Sequence, residues 1–262
     1  MKLNAKEILR KQHYETIGDH AAVQICRWTK KSLTDKGVCY KEKFYGIKSH
    51  RCCQMTPMIL FENKCIHCLR AIELDFSDQI KNAKIMSQEE IIEKCVVAQK
   101  KLLSGFKGHN NINQKKFKES QDPNQFAISL FGEPTLYKEI GKFIENLRKK
   151  GKTSFLVTNG LNPDVISKME KNNQLPTQLY VYVNSPNKEL YDKFHRSIKK
   201  DAWKKLNKTL EIFKKIKNKT RTVIRINLVR GLNIEDKYIK EYASLIKKAN
   251  PKFIEIKGYI SV

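Results

Sequence analysis

The residues best suited to chemistry in this chain are its cysteines. Seven occur in 262 residues, and six of them (Cys26, Cys39, Cys52, Cys53, Cys65 and Cys68) fall within the first 70. The first three follow a C-x12-C-x12-C spacing, with Lys30, Lys31, Lys36, Lys41, Lys43 and Arg51 around them. Positive charge favours the thiolate, which is the metal-binding form. Three thiolates would hold a [4Fe–4S] cluster and leave one iron open to a substrate; buried structural cysteines are the alternative. Cys65 and Cys68 form a C-x-x-C that suits redox, zinc or iron–sulfur chemistry. A redox pair belongs at the start of a thioredoxin-type helix, and these flanks do not read that way. A structural zinc takes four ligands, and His67, between the two cysteines, would point away from their shared metal. Cys95 shares an apolar helix face with Ile91 and Ile92 and reads as core.

From residue 124 onwards the elements that must position such a site are regular. Strands are expected at 125–132, 153–160, 178–185, 222–231 and 252–262. Between them lie helices marked by Leu136, Ile140, Phe143, Ile144 and Leu147, by Pro163 to Lys171, by Trp203, Leu206, Leu210, Phe213 and Ile216, and by Ile234 to Ala249. Strands alternating with helices imply βαβ units and a parallel sheet. In such sheets ligands bind at the carboxyl ends of the strands, so "FGEPT", "TNG", "VNS" and "VRG" should line one pocket. Nearer the N-terminus, a helix is expected from Ala21 to about Thr34. Another is expected from Ser87 to about Leu103, opened by a capping box with Glu90. Residues 107–124 read as a solvated basic loop.

Lys and Arg number 52 against 27 Asp and Glu, a formal charge of +25. A polyanionic partner, nucleic acid first, is the simplest physical reason to carry that surplus. No apolar run reaches the roughly 18 residues of a membrane span, and the polar N-terminus lacks a signal-peptide core. A cytosolic (cytoplasmic) monomer with no membrane partner is the expectation.

Five stretches carry a resemblance: "EILRKQHYETIGDHAAVQICRW", "CYKEKFYGIKSHRCCQMTP", "LFGEPTLY", "PTQLYVYV" and "FIEIKGY". Together they resemble the radical S-adenosylmethionine (SAM) enzymes that build the tricyclic base of tRNA, the 4-demethylwyosine synthases, over residues 7 to 260. The resemblance implies an α/β fold, an incomplete parallel (β/α)6 radical SAM barrel with an N-terminal cysteine-rich extension. Residues 1–262 would form a single radical SAM domain, with 1–55 as the auxiliary-cluster extension and 56–262 as a partial barrel, ending where the family continues further. It implies two [4Fe–4S] clusters. Cys26, Cys39 and Cys52 match the auxiliary-cluster cysteines; Cys65 and Cys68 match the last two of the radical SAM C-x3-C-x2-C. Gly132, Glu133, Pro134 and Thr135 match the stretch that receives the amino group of SAM, with Asn159 and Asn184 at strand ends where ribose or carboxylate contacts are usual.

The implied reaction joins pyruvate carbons to N1-methylguanosine-37 of tRNA(Phe) in wybutosine biosynthesis, with an electron donor feeding the clusters. Lys41 or Lys43 in "CYKEKFYG" could capture pyruvate as a Schiff base, which needs a neutral amine. Trp28, Tyr40, Phe44 and Tyr45 could stack on a base taken out of the anticodon loop. The sequence departs from the family pattern at position 61, where Phe stands instead of the first cluster cysteine. Glu62 or Cys53 could supply a replacement ligand. The alternative is a catalytically impaired homologue that retains tRNA binding; a zinc-stabilised structural protein is a third reading.

Overall fold

The computed structural model describes residues 5–66, 68 and 76–259. The chain divides into two compact units: residues Met1–Leu60 with Phe76–Phe155, and Phe61–Asp75 with Leu156–Val262.

In the first unit, α1 (Ala5–Lys11) leads into β1 (Tyr14–Ile17) and β2 (Ala21–Gln24), an antiparallel hairpin. Next come α2 (Arg27–Leu33), α3 (Tyr40–Tyr45), β3 (Cys52–Thr56), α4 (Ser77–Lys81), α5 (Gln88–Leu103), α6 (Gln114–Ser120), β4 (Gln125–Ile128) and α7 (Ile140–Lys149). β2 pairs antiparallel with β3, and β3 pairs parallel with β4, Cys52 opposite Gln125 and Met55 opposite Ile128. Phe126, Ile128 and Met55 are fully buried, as are Ile91 of α5 and Phe143 and Leu147 of α7. The capping box of α5 is present: Ser87 Oγ accepts from Glu90 N at 3.2 Å, and Ser87 N donates to Glu90 at 3.3 Å.

The expected helix from Ala21 to Thr34 is corrected. Ala21–Gln24 is a strand, paired along its length with β1 and over its last three residues with β3, and the helix begins only at Arg27, with Cys26 as its N-cap residue. Pairing with two neighbours decides the conformation of a segment that local propensity leaves ambiguous. The expected loop at 107–124 also contains a helix, α6. Asn113 caps it by accepting from Lys116 N at 3.0 Å, and Ile112 and Phe117 join a small apolar cluster with Ile25, Leu33 and Leu103.

The division between the units falls inside β5 (Thr153–Thr158). The second unit continues with α8 (Pro163–Lys171), β6 (Gln178–Tyr182), α9 (Lys188–His195), α10 (Ala202–Ile216), β7 (Arg221–Leu228), α11 (Ile239–Ala249) and β8 (Phe253–Gly258). β6, β7 and β8 pair in parallel, as the alternating pattern predicts. Their register places Tyr182, Arg225 and Glu255 in one row. Arg225 donates from Nε to Glu255 at 2.9 Å and lies over the Tyr180 ring, 4.6 Å from its centroid. Burial pushes the Glu255 carboxyl up, yet Arg225 and Lys257 together hold it below the usual carboxylate range. Among the described residues, no helix is long and apolar enough to cross a membrane.

Candidate functional site

Cys26, Cys39 and Cys52 line one hollow in the first unit, together with Trp28, Thr29, Lys41, Ser49, Gln54 and Ser129. Local structure puts each thiol there. Cys26 and Cys39 are the N-cap residues of α2 and α3, so their side chains leave the chain where it turns into helix. Cys52 opens β3, and the two-residue period of a strand puts it on the same face as Gln54 and sends Cys53 to the other. Ser49 fixes the loop between them: its hydroxyl accepts from Cys39 N at 2.9 Å, its N–H donates to Glu42 at 2.8 Å, and its carbonyl accepts from Thr29 Oγ1 at 2.9 Å. These supporting polar residues were not singled out in the sequence, although "KSHRC" contains one of them.

Basic neighbours alone would lower these thiols. At Cys52 burial wins: desolvation pushes the thiol well above its ordinary value, and the Lys41 charge offsets only part of that. Cys53 is fully buried and its thiol is also pushed up, by burial and by its hydrogen bond with Cys95.

The two candidate lysines separate. Lys41 is buried and lines the hollow, its Nζ 5.0 Å from the centroid of the Phe155 ring. Lys43 is exposed and does not line the hollow. Of the aromatic residues, Trp28 borders the hollow with Lys31 Nζ 5.2 Å from its ring centroid, and Tyr45 packs edge-on against Phe155 at 5.8 Å. Phe44 is three-quarters exposed.

The "GEPT" stretch follows β4. Gly132 has φ +73°, and a Cβ there would collide with the Met58 carbonyl oxygen and lie 2.8 Å from Ile59. Only glycine allows this approach. Glu133 is buried; its N–H donates to Leu60 O at 2.7 Å, and its Oε1 accepts from Thr135 N at 3.1 Å and Thr135 Oγ1 at 2.5 Å. Pro134 starts the short 3-10 turn that this cap closes.

In the second unit, Asn159 follows β5; its Oδ1 accepts from Leu161 N at 2.9 Å, and its Nδ2 donates to Glu62 at 3.1 Å. Asn184 is buried beyond β6. Its Oδ1 accepts from Asn227 N at 2.9 Å, and its carbonyl accepts from Asn233 Nδ2 and the Tyr242 hydroxyl. Asn184 therefore ties the ends of β6 and β7 to α11.

Cys65 and Cys68 lie on a turn in which Cys68 N donates to Cys65 O at 3.1 Å. His67 lies outside the described residues. The carboxylate of Glu62 is buried and forms an ion pair with Lys199, with further bonds from Asn159 and Asn162 Nδ2 (2.9 Å). Cys65 Sγ lies 3.2 Å from His195 Nδ1, a contact that nothing in the sequence signals because 130 residues separate the two.

Among the described residues, no three His, Cys, Asp or Glu side chains converge on a single metal ion. The hollow bearing Cys26, Cys39 and Cys52 has the donor chemistry of an iron–sulfur cluster, whose thiolates approach from separate sides of the cage. The segment around Cys65 offers two thiols and an imidazole.

The Radical SAM superfamily matches residues 62–243. The S-adenosyl-L-methionine-dependent tRNA 4-demethylwyosine synthase of Pyrococcus abyssi is 43% identical over 97% of this chain and 73% of its own. The chain belongs to this family of radical SAM proteins. A solved structure of TYW1 with a lysine–pyruvate adduct bound superposes with a TM-score of 0.87 and 38% identity, covering 100% of this chain and 82% of that one. A crystal structure of archaeal TYW1 gives 0.79 and 37%, over 99% and 83%. The α/β architecture is therefore that of the partial radical SAM barrel, and membership in the 4-demethylwyosine synthase family implies SAM and an iron–sulfur cluster as cofactors.

Proposed function

We propose that this chain is a tRNA 4-demethylwyosine synthase that joins pyruvate carbons to N1-methylguanosine-37 of tRNA(Phe). The observation that carries the reading is the hollow in which a buried lysine, Lys41, accompanies Cys26, Cys39 and Cys52. A relative of known structure holds a lysine–pyruvate adduct. In this reading Cys26, Cys39 and Cys52 hold one [4Fe–4S] cluster, and the Cys65–Cys68 segment holds the other. When bound, these clusters and SAM supply the electron and the 5′-deoxyadenosyl radical that activate the N1-methyl group.

The chain's own residues do the rest. The neutral amine of Lys41 adds to the pyruvate ketone, and water leaves as the Schiff base forms, which holds the substrate carbons in place. Burial of Lys41 keeps bulk water from competing at that carbon. Glu133 at the end of β4 offers a buried carboxylate for the SAM ammonium, with Gly132 shaping the approach and Pro134 and Thr135 fixing the turn. Asn159 follows β5 and Asn184 follows β6, each with a side-chain amide for polar contacts. Trp28, beside the hollow and paired with Lys31, is the best placed of the aromatic residues to stack on an extruded guanine. The formal charge of +25 supports a tRNA partner whose affinity falls with salt.

Phe61 supports a second reading, a homologue that binds tRNA without cleaving SAM. One experiment separates the two. After anaerobic reconstitution and reduction with dithionite, the enzyme releases 5′-deoxyadenosine and converts N1-methylguanosine-37 to the tricyclic base. Salt-sensitive tRNA binding with neither product sinks the enzymatic reading and leaves the binder.

A further inference from the structure

We infer that Gln54, seconded by Ser129, receives the carboxylate of the 2-oxo acid that Lys41 captures, and so selects pyruvate over ketones that lack the acid group. The inference rests on the Schiff-base reading proposed above and deepens it.

The hollow that holds Lys41 has a limited stock of hydrogen-bond donors. Of its Ser, Thr and Gln side chains, two are spent on the loop around Cys39. Ser49 Oγ accepts from Cys39 N at 2.9 Å, and Thr29 Oγ1 donates to Ser49 O at 2.9 Å. The other two, Gln54 and Ser129, make no side-chain hydrogen bond among the described residues. Both are half-buried. A polar side chain drawn partly out of water without a protein partner is left for a ligand to satisfy.

Strand geometry brings the two together. Gln54 follows Cys52 by two residues on β3, so both side chains occupy one face. In the parallel pairing of β3 with β4, Ala127 stands opposite Gln54. Ser129 follows Ala127 by two residues and lines the same hollow. Ala127, with only a methyl group, leaves room beside the Gln54 side chain.

The chemistry of the substrate uses these donors. The pyruvate anion has no donor of its own; it offers a ketone oxygen and two carboxylate oxygens. The ketone oxygen leaves as water when the Lys41 amine condenses. The two carboxylate oxygens stay, on the carbon bonded to the imine carbon, where they make and break no bond. Among the described residues that line the hollow there is no arginine, so the two-pronged clamp common for carboxylates is not supplied. Cys26, Cys39 and Cys52 bring negative charge once they bind iron. Gln54 Nε2 and the Ser129 hydroxyl therefore donate to the acid group, with the Lys41 iminium as the cation beside it.

The test traps the imine on the full chain, reconstituted anaerobically with iron and sulfide. Borohydride delivers hydride to the imine carbon and fixes the adduct as a secondary amine, and peptide mapping by mass spectrometry reads its yield at Lys41. Two probes are titrated: pyruvate, and acetone, in which a methyl group replaces the carboxylate. Gln54→Met and Gln54→Leu keep the side chain's bulk and remove its donor. Each should raise the pyruvate concentration for half-maximal trapping by about tenfold to a hundredfold, the worth of a hydrogen bond to a charged group, and leave that for acetone within about twofold. Ser129→Ala should give the same pattern with a smaller shift. Unchanged acetone trapping and iron content show an intact hollow, so a loss confined to pyruvate is a loss of carboxylate recognition. Unchanged pyruvate trapping in both Gln54 variants overturns the inference. An equal loss for both probes, with or without loss of iron, also overturns it and makes Gln54 a packing residue. If the wild type traps neither probe at Lys41, the Schiff-base reading fails and takes the inference with it.

Discussion

Lys41 Nζ sits 5.0 Å from the centroid of the Phe155 ring, while Lys43, two residues further along the same short helix, is exposed. Residues two apart on a helix do not share a face, so α3 can send only one of them into the cysteine-lined hollow. Borohydride trapping with pyruvate should therefore modify Lys41. Lys41→Arg should abolish the trapped adduct, and Lys43→Arg should leave its yield within about twofold, since the exposed amine contributes only charge. Peptide mapping by mass spectrometry reads both outcomes. A labelled Lys43 peptide with Lys41 unmodified would overturn the assignment.

The buried Glu62 carboxylate depends on Lys199, whose side chain is 30% exposed against 6% for the glutamate. Removing one partner of a mostly buried pair leaves the other charge uncompensated. Lys199→Met should cost about 2 kcal/mol in urea unfolding, moderated here by the two asparagine donors that remain. Combining it with Glu62→Gln should recover much of that loss, because the charge that needed a partner is gone. Equal losses in the single and double variants would show that the carboxylate is not held as an ion.

What could be read in advance depended on how local the determinants are. β5, β6 and β7 are dense in β-branched and aromatic residues, and their boundaries lie within a few residues of expectation. Ala21–Gln24 reads as helix because nothing within the segment reveals that β1 and β3 flank it; pairing partners such as Thr56 lie more than thirty residues away. α6 reads as loop because Asn113 and the anchors Ile112 and Phe117 sit within a polar, lysine-rich stretch. The three spaced cysteines were visible, but the order of effects on Cys52 was not: the lysines are adjacent in sequence, whereas its burial comes from strands that pair across long separations. His195 gave no signal, since one histidine beside a phenylalanine on an amphipathic helix reads as core until the Cys65 segment folds against it.

Gly132 and Gly46 provide a matched pair. Both have positive φ, +73° and +70°, but a Cβ at Gly46 meets nothing within 4 Å, whereas one at Gly132 runs into the backbone of Met58 and Ile59. Gly46→Ala should cost about 1 kcal/mol, the penalty of the left-handed conformation alone. Gly132→Ala adds a backbone collision and should cost about 3 kcal/mol or more, with weakened SAM binding as the 58–59 segment is displaced. Urea unfolding and equilibrium dialysis of SAM measure the two effects. Equal costs at both sites would remove the argument that close approach fixes Gly132.

The raised thiols make a prediction about pH for the iron-free protein. Folding holds the protons of Cys52 and Cys53 more tightly than the unfolded chain does. Their contribution is complete below the ordinary thiol value of 9.0. Above it the unfolded chain releases protons that the folded one keeps, so stability falls as pH rises. Tyr137, Tyr191 and Tyr242, also pushed up by burial from an ordinary 10.0, add a smaller fall that starts about one pH unit below that value and grows above it. Between pH 9 and 10 each buried thiol should lower stability by up to about 1.4 kcal/mol per pH unit, and the Cys52 share is read from the difference between wild type and variant. Cys52→Ser should flatten the slope of urea-derived stability against pH by as much as one proton. Bound iron should abolish that part of the slope, because a ligated thiolate has already lost its proton. A wild-type slope unchanged by either the substitution or the metal would show that Cys52 is not the buried thiol of the cysteine-lined hollow.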